Sequence, residues 1–167
     1  MRFKAIPPPP ASLVTLEETW RAVPLVPETE GTCCERIAGK IDRVDLDEAR
    51  RWLALLRALD IVEKGAIGYV RVRPYPETDE LARRYRSNVF GVNELIDHLD
   101  NHGTADIETA FTAIEDVVPP WERHRNPNTW EDAWRERVAH LLAWGELFGI
   151  FERADDRFSL APNLIGS

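Results

Sequence analysis

The chain has 167 residues, 44% of them hydrophobic, 30% charged and 9% aromatic, the balance of a soluble globular protein with room for one domain or two small ones. Six Trp, six Phe and three Tyr supply core material that a disordered chain lacks, and no run of about 20 apolar residues is present to span a membrane. A formal charge of −8, from 29 acids against 21 bases, excludes a basic coat that grips nucleic acid indiscriminately, so any such contact must come from a local patch.

Met1 to Pro10 carries Arg2 and Lys4 with no apolar run behind them, which is not the pattern of a signal peptide. Three of the bases are Lys (Lys4, Lys40 and Lys64) and the other 18 are Arg, a bias that fits a GC-rich genome or a salt-adapted organism and carries no mechanism. Pro7 to Pro10 favour an extended polyproline II arm within residues 1–14. Thr15 to Val23 reads as a short helix, with Thr15 as cap, Glu17 and Glu18 in the first turn, and Pro24 and Pro27 as stops. Thr32 to Ile41 gives a second helix, with Ile37, Ala38 and Ile41 at helical spacing. Its Cys33 and Cys34 are the only cysteines. Neighbouring cysteines rarely bridge and cannot build a disulfide framework, so a reducing cytoplasm is expected.

Asp45 to Asp60 carries the clearest helical period of the first half. Asp45 or Asp47 can cap it, and Ala49, Trp52, Leu53, Leu56 and Leu59 form one apolar face. Arg50, Arg51, Ala54, Arg57 and Ala58 fall on the opposite face. The period then changes. Ile61 to Lys64 and Ile67 to Val72 are strand-like around a Gly65-Ala66 turn, with Tyr69, Arg71 and Arg73 alternating against Val70 and Val72, and Pro74 and Pro76 close the hairpin.

Three helices and a hairpin make a winged helix-turn-helix layout. The residues Cys34-Glu35-Arg36-Ile37-Ala38 and the helix end Leu56-Arg57-Ala58-Leu59-Asp60-Ile61-Val62-Glu63-Lys64 resemble that superfamily, over residues 15–73. One position departs from the pattern: Asp60 stands where Gly is usual. The resemblance implies a third helix that enters the DNA major groove and a wing that reaches phosphate or minor groove.

Residues 74–88 read as a basic linker. Arg83, Arg84 and Arg86 follow Arg71 and Arg73, and "DELARRYR" is able to form one helix. The order of elements then repeats over residues 89–167. Val92 to Asn101 is an amphipathic helix that turns Val92, Leu95, Ile96 and Leu99 inward and ends at Gly103. Asp106 to Val118 turns Ile107, Ala110, Phe111, Ile114 and Val118 inward and stops at Pro119-Pro120. Thr129 can cap a long helix to Leu147 that buries Trp130, Trp134, Val138, Leu141 and Phe148. Ile150 to Arg153 and Arg157 to Leu160 form a second hairpin around Ala154-Asp155-Asp156. The link between the second and third helices, residues 119–128, is about ten residues where this motif normally uses three or four. The expected fold class is therefore mainly α with small β-hairpins (α+β), arranged as tandem winged helix-turn-helix domains, the second one atypical.

Catalytic signatures are missing. No glycine-rich phosphate loop, GxSxG or HExxH occurs, and no cofactor is expected. Cys34 could serve as a nucleophile only with a partner that the sequence does not show; a half-buried structural Cys is the simpler account. His98 and His102 share one helix face at a spacing that can hold a metal, but no further ligand pair lies nearby, so they read as a surface pair and no metal site is expected. Nucleic-acid contact is the serious candidate. Arg50, Arg51 and Arg57 on the outer helix face, with Lys64, Arg71 and Arg73 on the wing, suit phosphate and guanine, whereas Asp47 and Glu48 at the helix start oppose phosphate. A second contact surface is expected in the long link, from Trp121, Arg123, His124 and Arg125, for protein or single-stranded nucleic acid. There Trp121 should be at least partly exposed and Arg123 and Arg125 should point to solvent; the competing expectation packs Trp121 into the core. The expected partner is double-stranded DNA, as for a non-enzymatic transcriptional regulator, or alternatively a protein, as for a scaffold or complex subunit. No membrane contact is expected, and a homodimer is left open.

Overall fold

The structure, a computed structural model, describes residues 3, 5–42 and 44–162. It divides into two compact units, the first ending at Val89 and the second starting at Phe90.

In the first unit, helix α1 (Leu13–Ala22) starts two residues before the expected Thr15, because the Ser12 hydroxyl accepts the Val14 N–H and is the cap. Helix α2 (Glu30–Lys40) likewise starts earlier than Thr32, with Thr29 capping Thr32 N at 3.2 Å. Asp45 caps helix α3 (Leu46–Ala58) through Glu48 N at 2.8 Å. Strands β1 (Val62–Lys64) and β2 (Tyr69–Arg71) form the wing, with Glu63 opposite Val70. Glu28, between α1 and α2, exchanges two backbone hydrogen bonds with Tyr69 (3.0 and 2.7 Å) and so gives β2 a neighbour on its other edge. The proline arm lies on this unit: Ile6 is buried, and Phe3 N donates to Asn88 O at 2.7 Å.

Helix α4 (Thr78–Asn88) covers most of the stretch read as a linker. It buries Leu81 and Tyr85 and holds the end of α3. Asn88 Nδ2 donates to Ala58 O (2.7 Å) and Arg84 to Leu59 O (3.0 Å). This contact corrects one expectation. Ala58, placed on the outer face of α3, is fully buried, and Leu55 is buried too, so the solvent face of that helix is narrower than its pattern suggests.

The second unit runs through helix α5 (Val92–His102), strand β3 (Thr104–Ala105), helices α6 (Ile107–Glu115), α7 (Pro120–Arg125) and α8 (Trp130–Leu147), and strands β4 (Phe151–Ala154) and β5 (Arg157–Leu160). Gly103 ends α5 at φ +83°, and Asp106 caps α6 through Thr109 N. The strands form one antiparallel sheet in the order β3-β5-β4. The long link is a short helix rather than a loop: α6 ends at Glu115, before the expected Val118, and Pro119 and Pro120 favour a new helical start at α7. Ile107, expected inward, is 36% exposed. At the first turn of a short helix, one residue past the cap, its side chain falls off the buried stripe made by Ala110, Phe111 and Ile114.

Helices α3 and α8 end with the same wiring. Leu59, Asp60 and Ile61 donate to Leu55, Arg57 and Leu56, as Phe148, Gly149 and Ile150 donate to Trp144, Glu146 and Gly145. Val72 N then closes onto Ile61 O, as Ala161 N closes onto Ile150 O. The turn demands a left-handed residue, which is Gly149 at φ +79° in one copy and Asp60 at φ +58° in the other. Asp tolerates that region better than most side chains, so the departure noted at Asp60 changes the residue and keeps the geometry.

Candidate nucleic-acid interface

The six basic residues expected to meet DNA fall into two groups. Arg50, Arg57 and Lys64 gather around the start of α2 and the wing tyrosine. Arg50 sits between Glu30 (3.1 Å) and Asp47 (2.6 Å), with all three side chains about half exposed or more. Tyr69 places its hydroxyl 3.4 Å from the other Glu30 oxygen, and burial, then the Glu30 charge, raises its pKa. The guanidinium of Arg57 lies over the Phe3 and Tyr69 rings, at 5.3 and 5.8 Å, and Lys64 Nζ lies 5.8 Å from the Tyr69 centroid. Arg51, next along α3, is exposed.

Arg71 and Arg73 belong elsewhere. The guanidinium of Arg71 turns onto Trp20 of α1, 5.0 Å from the ring centroid. Arg73 lies two residues beyond the end of β2 and is exposed. The tip of the wing, residues 65–68, carries no charge, and its Ile67 is 82% exposed. Beside it a shallow pocket of about 510 Å³ is lined by Phe3, Pro27, Arg57, Lys64, Ile67 and Val70 among others.

Two winged helices with one shared helix-to-wing geometry are now in view. The chain belongs to the halobacterial double winged helix domain family. The family model matches residues 1–163, which takes in both copies. No curated protein and no solved structure matches the chain.

The two winged helices carry very different charge. The first unit holds 15 Lys and Arg against 14 Asp and Glu, and the second holds 6 against 15. All of the net acidity therefore lies in the second copy, a division hidden by the whole-chain value of −8. Dividing the count at the unit boundary is the signal that sequence reading missed. The outer face of α8 fits the acidic side of this division: its Arg135 is taken up by Glu108 (2.8 Å), Asp132 and Glu131 and lies over Phe111.

The residues expected to make a second surface differ in exposure. Trp121 is 56% exposed, as anticipated, and His124 and Arg125 are exposed. Arg123 does not point to solvent. It donates to Glu115 O and covers the Trp130 ring at 4.5 Å, which straps α7 onto the end of α6. Glu122 fixes the other side of α7 by accepting from Trp134 Nε1 at 2.7 Å.

Both thiols are buried and free, and burial pushes both up in pKa, which disfavours the thiolate that a nucleophile needs. His98 and His102 stack at 4.2 Å, and burial and the neighbouring ring lower His98. Among the described residues no group of three His, Cys, Asp or Glu is placed to hold a metal ion, and no helix is long and apolar enough to cross a membrane.

Proposed function

We propose that this chain is a non-enzymatic regulator that binds double-stranded DNA through its first winged helix, with Arg50, Arg51, Arg57 and Lys64 as the contact set. The observation that carries this reading is the division of charge. The first copy is nearly balanced and offers cations on α3 and the wing, while the second would repel phosphate. The Glu30 and Asp47 pairs of Arg50 do not oppose it. Exposed ion pairs are worth about 0–1 kcal/mol, so phosphate oxygens can replace those carboxylates. The acidic, Lys-poor composition suits a halobacterial, salt-adapted setting, where contacts must survive screening; close guanidinium-phosphate pairing does so better than long-range attraction.

A mobility-shift titration of random duplex DNA against salt tests it. Arg51→Ala combined with Lys64→Ala changes two exposed side chains and leaves the stacked Arg57 in place. The expected result is uniformly weaker binding across sequences and a loss of about one to two in the slope of log K against log salt. Binding and slope equal to the parent would reject this surface.

A second reading is favoured by one observation. Trp121 is more than half exposed on the acidic unit, and exposed Trp is the residue type most enriched at the energetic centre of protein interfaces. In that reading the second winged helix contacts a protein, with Trp121, His124 and Arg125 as its contact residues and Arg123 as the strap that positions them.

A further inference from the structure

Arg71 and Arg73, the two wing residues that do not join the α3 group, lie close enough to Arg21 and Arg36, from other elements, for the four charges to act on one another. Arg36 of α2 donates its Nε–H to Ala22 O at the end of α1 (2.8 Å), which brings it beside Arg21. Arg71 N donates to Pro24 O (2.8 Å), two residues further on. The floor is rigid: Trp20 lies under the Arg71 guanidinium, donates its indole N–H to Val72 O (3.0 Å), and has Tyr75 at 5.1 Å. Burial, then the charges of Arg73, Arg21 and Arg36 in that order, hold Arg71 below its ordinary guanidinium range.

Opposing charge is scarce here. Glu17 pairs with Arg21 at 3.5 Å, and burial together with Glu17 pushes Tyr75 up to about 12. Among the described residues no carboxylate pairs with Arg36, Arg71 or Arg73. The Nε of Arg71 is buried and makes no hydrogen bond. A charged donor left unsatisfied beside like charges is costly, and an anion on the cluster offsets that cost.

We propose that Arg21, Arg36, Arg71 and Arg73 form a binding site for a phosphate-class oxyanion, built from α1, α2 and the base of the wing and sharing no residue with α3. Guanidinium forks match phosphate oxygens two at a time, and a fork already placed over an indole loses less freedom on binding than one free in solvent. The phosphate can be that of a duplex backbone or of a small free molecule.

The test uses the full chain and inorganic phosphate at constant ionic strength, with chloride as the balancing anion. The Trp20 indole N–H and the arginine Nε–H resonances are followed by NMR. The expected result is a saturable shift confined to this cluster. It should weaken by about tenfold in Arg73→Ala, as for loss of one charge-assisted contact, and persist in Arg51→Ala. Arg36→Ala serves as a second variant, and retention of the parent's dispersed spectrum shows that each variant is folded. A short duplex provides the second arm. If backbone phosphate is the source, Arg73→Ala also weakens duplex binding; if a small phosphate is, duplex binding stays at the parent value while phosphate binding is still weakened. A linear, unsaturable shift, or equal phosphate binding by parent and Arg73→Ala, overturns the proposal. Failure of α3 to bind DNA leaves the phosphate titration unaffected, so the two readings fail separately.

Discussion

Gly145→Ala should destabilise the second winged helix, although alanine is the better helix former. Gly145 is buried in α8, where the helix crosses the wing strand β4. A methyl group there would land on Cδ2 and Cε2 of Phe151, with Cγ 3.4 Å away. Phe151 cannot swing clear, because it is 2% exposed and paired opposite Leu160 in the sheet. The intrinsic gain for Ala over Gly in a helix is about 1 kcal/mol. Forcing an extra methyl into a packed core costs about 1–3 kcal/mol, and contact with a trapped ring lies at the upper end. The expected net loss is about 1–2 kcal/mol, which at about 4–8 °C per kcal/mol for a unit of this size moves the melting temperature down by several degrees. Urea unfolding followed by circular dichroism and tryptophan fluorescence measures it, with the two units fitted as separate transitions where they separate. Gly39→Ala on α2 is the control: nothing lies within 4 Å of its methyl, so it should stabilise by up to about 1 kcal/mol. Phe151→Leu should restore part of the loss in the Gly145→Ala background. If Gly145→Ala is as stable as the parent, the packing of α8 on the wing is wrong.

Asp60→Gly should stabilise the first unit by about 0.5–1 kcal/mol, because the residue sits at φ +58° where a Cβ is disfavoured; a measured loss above that size would mean that the Asp60 carboxylate matters more than its backbone. Trp121→Ala should change stability by less than about 1 kcal/mol, as befits a side chain that is 56% exposed, and a loss of the size expected for a core Trp would make α7 architectural. For His98, burial and His102 lower the folded pKa below its ordinary 6.5. The unfolded chain therefore takes up a proton first, and stability should be intact above pH 6.5 and decline as pH falls through the window beneath it. In His102→Gln the His98 pKa, followed by NMR, should move up toward 6.5; an unchanged titration would show that the neighbouring ring does not matter.

The fold was legible where one element settles itself. The apolar repeat at Ala49, Trp52, Leu53 and Leu56 fixed α3 before any partner was known, and all four residues are buried. The first hairpin announced itself by a change from helical to alternating period. Helix starts were less legible, since Ser12, Thr15 and Thr29 are all competent caps and only the tertiary position of the first turn chooses among them. Ala58 was misplaced for the same reason. Nothing in its own helix shows that Asn88, 30 residues later, will cover it.

The candidate interface was less legible than the fold, because an arginine is read by what it meets. Arg50 meets Glu30 from a distance of 20 residues, and Arg71 meets Trp20 from the far end of the unit. A run of outward arginines on a helix wheel therefore overstates the free positive charge, and a count along the whole chain understates it. The informative level lies between the two, at the folding unit. There the two copies, closed by the same turn at Asp60 and Gly149, part company: one keeps its bases in near balance with its acids, and the other carries more than twice as many acids as bases. Shared geometry with different electrostatics is what a repeated fold permits, because the turn and the core constrain buried positions and leave the surface charge of each copy free to differ.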